Sequence, residues 1–278
     1  MDILHAIVLG IVQGVTEFLP VSSTGHLTIV SQLLGYPIDD AGVTAFIAVI
    51  QLGSIIAVIA YFAADIWRLA TAWVAGLFHA PARTSPQWRE AWIVIIGSIP
   101  VGLAGFFLRN VITGPLRSLW VVAAGLLLWS LVMWLAERLG SKARSQDDAS
   151  YADALVIGTL QCFALVPGVS RSGATISAGL MRGLDRVAAT RISFLLSIPA
   201  LVGAGGFQAI DSAADISASV GWTATLVATV VTLLVSWLAI AWLLKFVAGH
   251  SIAVFIWYRV ALALVLAALL ITGVLTAV

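Results

Sequence analysis

Residues 13–26 read Gln13-Gly14-Val15-Thr16-Glu17-Phe18-Leu19-Pro20-Val21-Ser22-Ser23-Thr24-Gly25-His26, and the chain on either side of them is almost wholly apolar. A carboxylate, a helix-breaking proline and a run of hydroxyls inside an apolar segment suit neither a soluble core nor a plain membrane span. The second half of the chain carries a similar stretch. It reads Gly158-Thr159-Leu160-Gln161, then Val166-Pro167-Gly168-Val169-Ser170-Arg171-Ser172-Gly173-Ala174-Thr175. Gly10 and Gln13 have the same spacing as Gly158 and Gln161, and Ser23 and Ser170 each stand three residues past a proline. The halves of each stretch are too short to cross a bilayer core of about 30 Å. Irregular backbone at membrane depth persists only where it lines a cavity or is buried in protein. Residues 3–35 and 154–183 are therefore expected to form two broken, re-entrant helix hairpins.

The rest of the chain reads as membrane. Of its 278 residues 61% are hydrophobic and 10% charged, with a mean hydropathy of +1.08; a soluble domain carries about 25% charged residues. Charge-free runs over 44–64, 91–108, 118–136, 192–210, 216–244 and 260–278 predict six full spans, the last starting nearer Ile252 and so enclosing Arg259. The expected fold is an all-α polytopic membrane protein: six spans plus two hairpins, in one membrane domain over 1–278. Three spans separate the hairpins, so two repeat units, about 1–140 and 151–278, are expected to be inverted relative to one another.

Charge predicts the orientation. One face collects Arg68, Arg83, Arg89, Arg138, Lys142, Arg144, Arg182, Arg186, Arg191 and Lys245. The other collects Arg109 and Arg117 with Asp2, Asp39, Asp40, Asp211 and Asp215. The positive-inside rule places the basic face in the cytoplasm, both termini outside, and the mouth of the first hairpin outside. No basic n-region marks a cleavable leader. Trp67, Trp222 and Trp257, near span ends, read as interface anchors. Cys162 has no partner for an internal disulfide, and a net charge of +1 without a basic stripe argues against nucleic acid.

Glu17, His26, Arg171 and Arg259 remain at membrane depth, where a charge costs roughly 2.5–3.5 kcal/mol. Gln13 and Glu17 share a helix face and are expected to hold a cation or set a proton; Glu17 also reads as a general acid or base, or as the partner of an arginine in an ion pair. Ser23 or Thr24 is expected to cap the second arm of the first hairpin, with His26 three past Ser23 and able to meet it. A serine beside a base is the outline of an activated nucleophile, with water or His26 itself as the other candidates for that role. Arg171, among Ser170, Ser172, Gly173 and Thr175 at a helix start, is an anion site in outline. Arg259 reads equally as an arginine that snorkels to the interface.

These stretches, together with Ile50-Gln51-Leu52-Gly53-Ser54, resemble the undecaprenyl-diphosphate phosphatase family, membrane enzymes linked to bacitracin resistance, over the whole chain. The resemblance implies cleavage of undecaprenyl diphosphate to the monophosphate outside the inner (plasma) membrane. That reaction recycles the lipid carrier of peptidoglycan synthesis. It implies catalytic roles for Ser23, His26, Glu17 and Arg171, and phosphate binding by Ser22, Ser170, Arg171, Ser172 and Thr175; Thr24, in the same run of hydroxyls, is expected to bind phosphate with them. It also implies a divalent cation, Mg²⁺ or Ca²⁺, at Glu17 and Gln13. The family accepts Glu or Gln at the position of Gln13, and Gln removes one carboxylate from such a site. The expected partners are the polyprenyl diphosphate lipid and bilayer lipids, with a homodimer left open. The rival reading is a secondary transporter or polyprenyl-phosphate flippase, which needs a binding site but no nucleophile.

Overall fold

The computed structural model describes residues 1–37, 40–108, 111, 116, 118–211 and 220–277. Among them the chain is mostly helical, with no strand beyond one isolated bridge between Arg144 and Leu184. The first hairpin is α1 (Ile3–Phe18) and α2 (Ser23–Leu33). Next come α3 (Ala41–Tyr61), α4 (Ala63–Phe78), α5 (Pro86–Phe107) and α6 (Leu119–Leu139). The second hairpin is α7 (Tyr151–Gln161), a 3₁₀ turn (Cys162–Leu165) and α8 (Arg171–Met181). The chain ends in α9 (Arg186–Asp211), α10 (Trp222–Gly249) and α11 (Ala253–Ile271).

Six of these helices are long and apolar enough to cross a membrane: α3, α5, α6, α9, α10 and α11. They match the six expected spans, and the protein is a multi-pass membrane protein. At 1.5 Å per residue α1 is about 24 Å long and α2 about 16 Å, so neither arm of the first hairpin spans alone. Between the first two expected spans lies α4, a helix that was not expected. Its inward stripe packs on α5, with Gly76 against the Trp88 ring and Trp73 edge-on to Trp92, while Trp67 and Phe78 are exposed. Asp65 and Arg68 kept it out of the charge-free runs that marked the spans.

Close crossings seat the hairpins. In α1, Gly10 faces the Ala228 carbonyl and Gly14 faces Val235 of α10; in α3, Gly53 faces the Thr229 carbonyl of the same helix. A Cβ on Gly14 would stand 2.7 Å from the Val235 Cβ, so only glycine allows this approach. In α5 and α7, Gly97 and Gly158 face one another.

Several residues of the predicted basic face are held in ion pairs. Buried Asp153 takes Arg144 and Arg182, each at 2.6 Å; Glu137 takes Arg186; Asp65 takes Arg68 at 2.8 Å and Arg191 at 3.1 Å. Burial opposes ionisation of Asp153, but hydrogen bonds from Arg144, Arg182 and Ser150 outweigh it and hold the carboxyl well below the usual range. Asp39, Arg109, Arg117 and Asp215, assigned to the opposite face, lie outside the described residues, as does the side chain of Asp211.

Candidate active site at the meeting of the two hairpin tips

Each hairpin breaks in the same way. The residue before proline is driven out of helical space. Leu19, before Pro20, is extended at φ −70°, ψ 145°, and Val166, before Pro167, at φ −82°, ψ 121°. Two residues past Pro20 and three past Pro167, a serine adopts positive φ: Ser22 at 75° and Ser170 at 74°. Non-glycine residues pay about 1–3 kcal/mol for such backbone, which persists where the surroundings over-determine it. The side chain of each serine caps the helix that follows, Ser22 accepting from the Gly25 N–H at 3.3 Å and Ser170 from the Gly173 N–H at 3.2 Å. The cap of the first tip is thus Ser22, one residue before the expected Ser23 or Thr24. The equivalent pairs become Ser22 with Ser170 and Ser23 with Arg171, a register one residue off the match of Ser23 to Ser170. The proline spacing that suggested that match hid the extra Gly168, which has φ 94°.

The tips meet at Glu17. Its Oε1 takes the Arg171 Nη2 at 3.1 Å, and its Oε2 takes the Ser23 hydroxyl at 2.9 Å and the Gln13 amide at 3.1 Å. Ser172 Oγ donates across the tips to the Leu19 carbonyl at 2.9 Å. Glu17 and Gln13 are buried, and the Arg171 guanidinium lies over the Phe18 ring, 5.9 Å from its centroid. The second terminal nitrogen of Arg171, Nη1, is buried and has no acceptor among the described residues. Buried donors are nearly always satisfied. This one is left with a hydrogen to donate.

His26 and Thr175 do not take the places expected of them. His26 forms no hydrogen bond with Ser23. Its Nδ1 lies 2.8 Å from the Ser22 carbonyl oxygen and its Nε2 2.6 Å from the Tyr258 hydroxyl. The two side chains could meet at this spacing, but each is engaged elsewhere, Ser23 with Glu17 and His26 with the Ser22 carbonyl and Tyr258. Thr175 is fully buried and bonds to Ser193 at 2.6 Å, behind the tip. Ser170 and Ser172 are spent on the cap and on Leu19.

A cavity of about 250 Å³ opens beside Glu17 and Ser23. Thr24, Thr28 and Ser31 run along its α2 wall at helical spacing, Thr44 and Gln51 stand on α3, and Leu119, Val122 and Pro167 close it. Ser31 Oγ is buried there without a partner among the described residues. The spacing of 24, 28 and 31 was the available signal for this wall.

Arg259 does not snorkel. It is fully buried, with Nη1 on the Pro20 carbonyl (3.2 Å), Nη2 on the Gly168 carbonyl (2.9 Å) and Nε on Ser130 Oγ (3.2 Å). Pro20 and Gly168 are equivalent in the register of Ser22 and Ser170, so one guanidinium ties matching carbonyls of both tips. Snorkelling requires a free path to the interface, and α6 and both tips close it.

This is a polytopic helical membrane protein whose buried acid, hydroxyl and half-satisfied arginine converge from two re-entrant tips. The family model for bacitracin resistance protein BacA matches residues 6–265, and the chain belongs to that family. It is similar to Undecaprenyl-diphosphatase 3 of Frankia casuarinae, at 53% identity over 277 residues covering all of both chains. It is also similar to Undecaprenyl-diphosphatase of Cutibacterium acnes, at 52% over 284 residues and again all of both. Undecaprenyl-diphosphatase of Acidothermus cellulolyticus is 53% identical over 278 residues, with the same coverage.

Proposed function

We propose that the chain hydrolyses undecaprenyl diphosphate to undecaprenyl phosphate and inorganic phosphate, and so returns the lipid carrier to peptidoglycan synthesis and confers bacitracin resistance. The observation that carries this reading is Arg171, which spends Nη2 on Glu17 and leaves Nη1 buried and unmet among the described residues, beside a serine already bonded to that carboxylate. A phosphate oxygen satisfies the guanidinium, and its phosphorus then stands near Ser23.

In this mechanism the lipid enters from the side with its tail in the bilayer. Arg171 and the free N–H groups at the two helix starts neutralise the terminal phosphate. Ser23 Oγ attacks the terminal phosphorus and passes its proton to Glu17. The bond to the bridging oxygen breaks, and the lipid monophosphate leaves. Water then cleaves the serine ester and releases phosphate. Phosphoryl transfer depends chiefly on positioning and charge stabilisation, which is what this arrangement supplies.

The family resemblance implies a divalent cation. Glu17 is a lone carboxylate whose two oxygens both accept hydrogen bonds, and no group of three His, Cys, Asp or Glu stands together among the described residues. Such a site is no cage, but it fits Mg²⁺ or Ca²⁺ that takes its other ligands from water and substrate phosphates. Glu17 and the Gln13 amide oxygen would hold the ion, which would neutralise diphosphate charge.

The basic face belongs in the cytoplasm of a cell bounded by its inner (plasma) membrane, by the positive-inside rule. The first hairpin then opens to the periplasmic side, with both termini there. The like-built tips and the three spans between the hairpins support an inverted repeat of units 1–140 and 151–278. The test is phosphate release from a polyprenyl diphosphate by purified protein in detergent, where no gradient exists to drive transport. Turnover near normal in the double variant Glu17→Ala, Arg171→Ala would end the proposal.

A further inference from the structure

The first tip carries a contact that the second lacks. In the register that matches Ser22 to Ser170, His26 falls on Ala174, which has no side chain to reach back. The Ser22 carbonyl can only accept, so the His26 Nδ1 at 2.8 Å carries the proton. Nε2 of the neutral ring is then an acceptor, and the Tyr258 hydroxyl at 2.6 Å donates to it. The two rings are near parallel, 6° apart in plane, with centroids at 5.6 Å. Tyr258 is itself held, because its neighbour Arg259 is bonded to both tips.

The chain of contacts runs onward. The Ser22 carbonyl takes the His26 ring and also the His26 backbone N–H at 3.3 Å, which clamps a residue already at positive φ. The next residue, Ser23, sends its hydroxyl to Glu17.

We infer that Tyr258 is a positioning residue: through His26 it fixes the backbone of Ser22 and thereby aims the Ser23 hydroxyl at Glu17. His26 is the latch of the first tip and not the base of Ser23, a place already taken by Glu17. The activity arm of the test rests on the proposed hydrolysis; the spectroscopic arm does not.

The first measurement is ¹⁵N NMR of the histidine-labelled full chain in detergent. One histidine is expected as the Nδ1–H tautomer with a hydrogen-bonded Nε2. Its signal should vanish in His26→Asn, shift in Tyr258→Phe, and stay in place in Trp257→Phe, whose side chain is exposed. The second is turnover of a polyprenyl diphosphate. Tyr258→Phe should lower kcat about tenfold, the worth of one hydrogen bond, with KM within about twofold. In a His26→Asn background, whose amide can still reach the Ser22 carbonyl, Tyr258→Phe should cost nothing further. An Nε2–H tautomer in the native protein overturns the inference. So does a Tyr258→Phe variant with unshifted signal and native kcat, and so do additive losses in the double variant. A wild-type protein that releases no phosphate defeats the hydrolysis reading, and the tautomer and its response to Tyr258→Phe still decide this one.

Discussion

At the first tip the residue after the strained serine is Ser23; at the second it is Arg171, and both reach the same carboxylate, Glu17. One turn earlier the halves part company. Gln13 donates to Glu17, whereas its match Gln161, fully buried, finds no partner for either polar atom among the described residues. The reason is in the chain: the position that matches Glu17 is Leu165. A single carboxylate therefore serves both tips. The comparison teaches that two like-built tips meet at one carboxylate, with a hydroxyl from one, a cation from the other, and the acid on only one side.

The strongest way to break this comparison is to remove the shared acid. Glu17→Gln keeps the shape but not the charge, so Arg171 loses its partner and Ser23 its proton acceptor. Phosphate release should fall about 10³-fold or more, read as kcat in detergent. Loosening the tie between the tips comes next. Arg259→Met leaves the Pro20 and Gly168 carbonyls unmet, and thermal unfolding in detergent should show a loss of about 3 kcal/mol, with turnover lost in step.

On the basic face, Asp153→Asn breaks two ion pairs at once and should cost about 2 kcal/mol near neutral pH. The Asp153 carboxyl is held below its ordinary value, so its contribution is complete above roughly pH 4 and fades only as acid approaches the folded value. Native protein and variant should therefore differ equally at pH 6 and pH 8 and converge in strong acid. The smallest expected effect sharpens the contrast between the halves. Gln161→Met removes a buried amide without partners and should be neutral or stabilising by about 1 kcal/mol, with turnover unchanged; Gln13→Met, deprived of its bond to Glu17, should lower turnover.

The membrane character, the six spans and both hairpin breaks were legible in the linear chain, and an ion pair of Glu17 with an arginine stood there as one reading among several. Each follows from local chemistry: apolar length, a proline and the residue before it, and charges too costly to leave alone at bilayer depth. The cap register was misread by one residue, because backbone dihedrals at Ser22 and Ser170 and not the proline spacing set it. His26 could be placed near the tip but not aimed, since its two partners are a backbone carbonyl and a tyrosine 232 residues away. Arg259 showed only that it was buried deep or reached out. Which of these held depended on carbonyl oxygens from two hairpins and α6 arriving at one point, and carbonyls carry no mark in a sequence. Residue types and spacing thus determined what the chain must bury; only the packing of α6 and α11 against the tips decided which groups satisfy one another there.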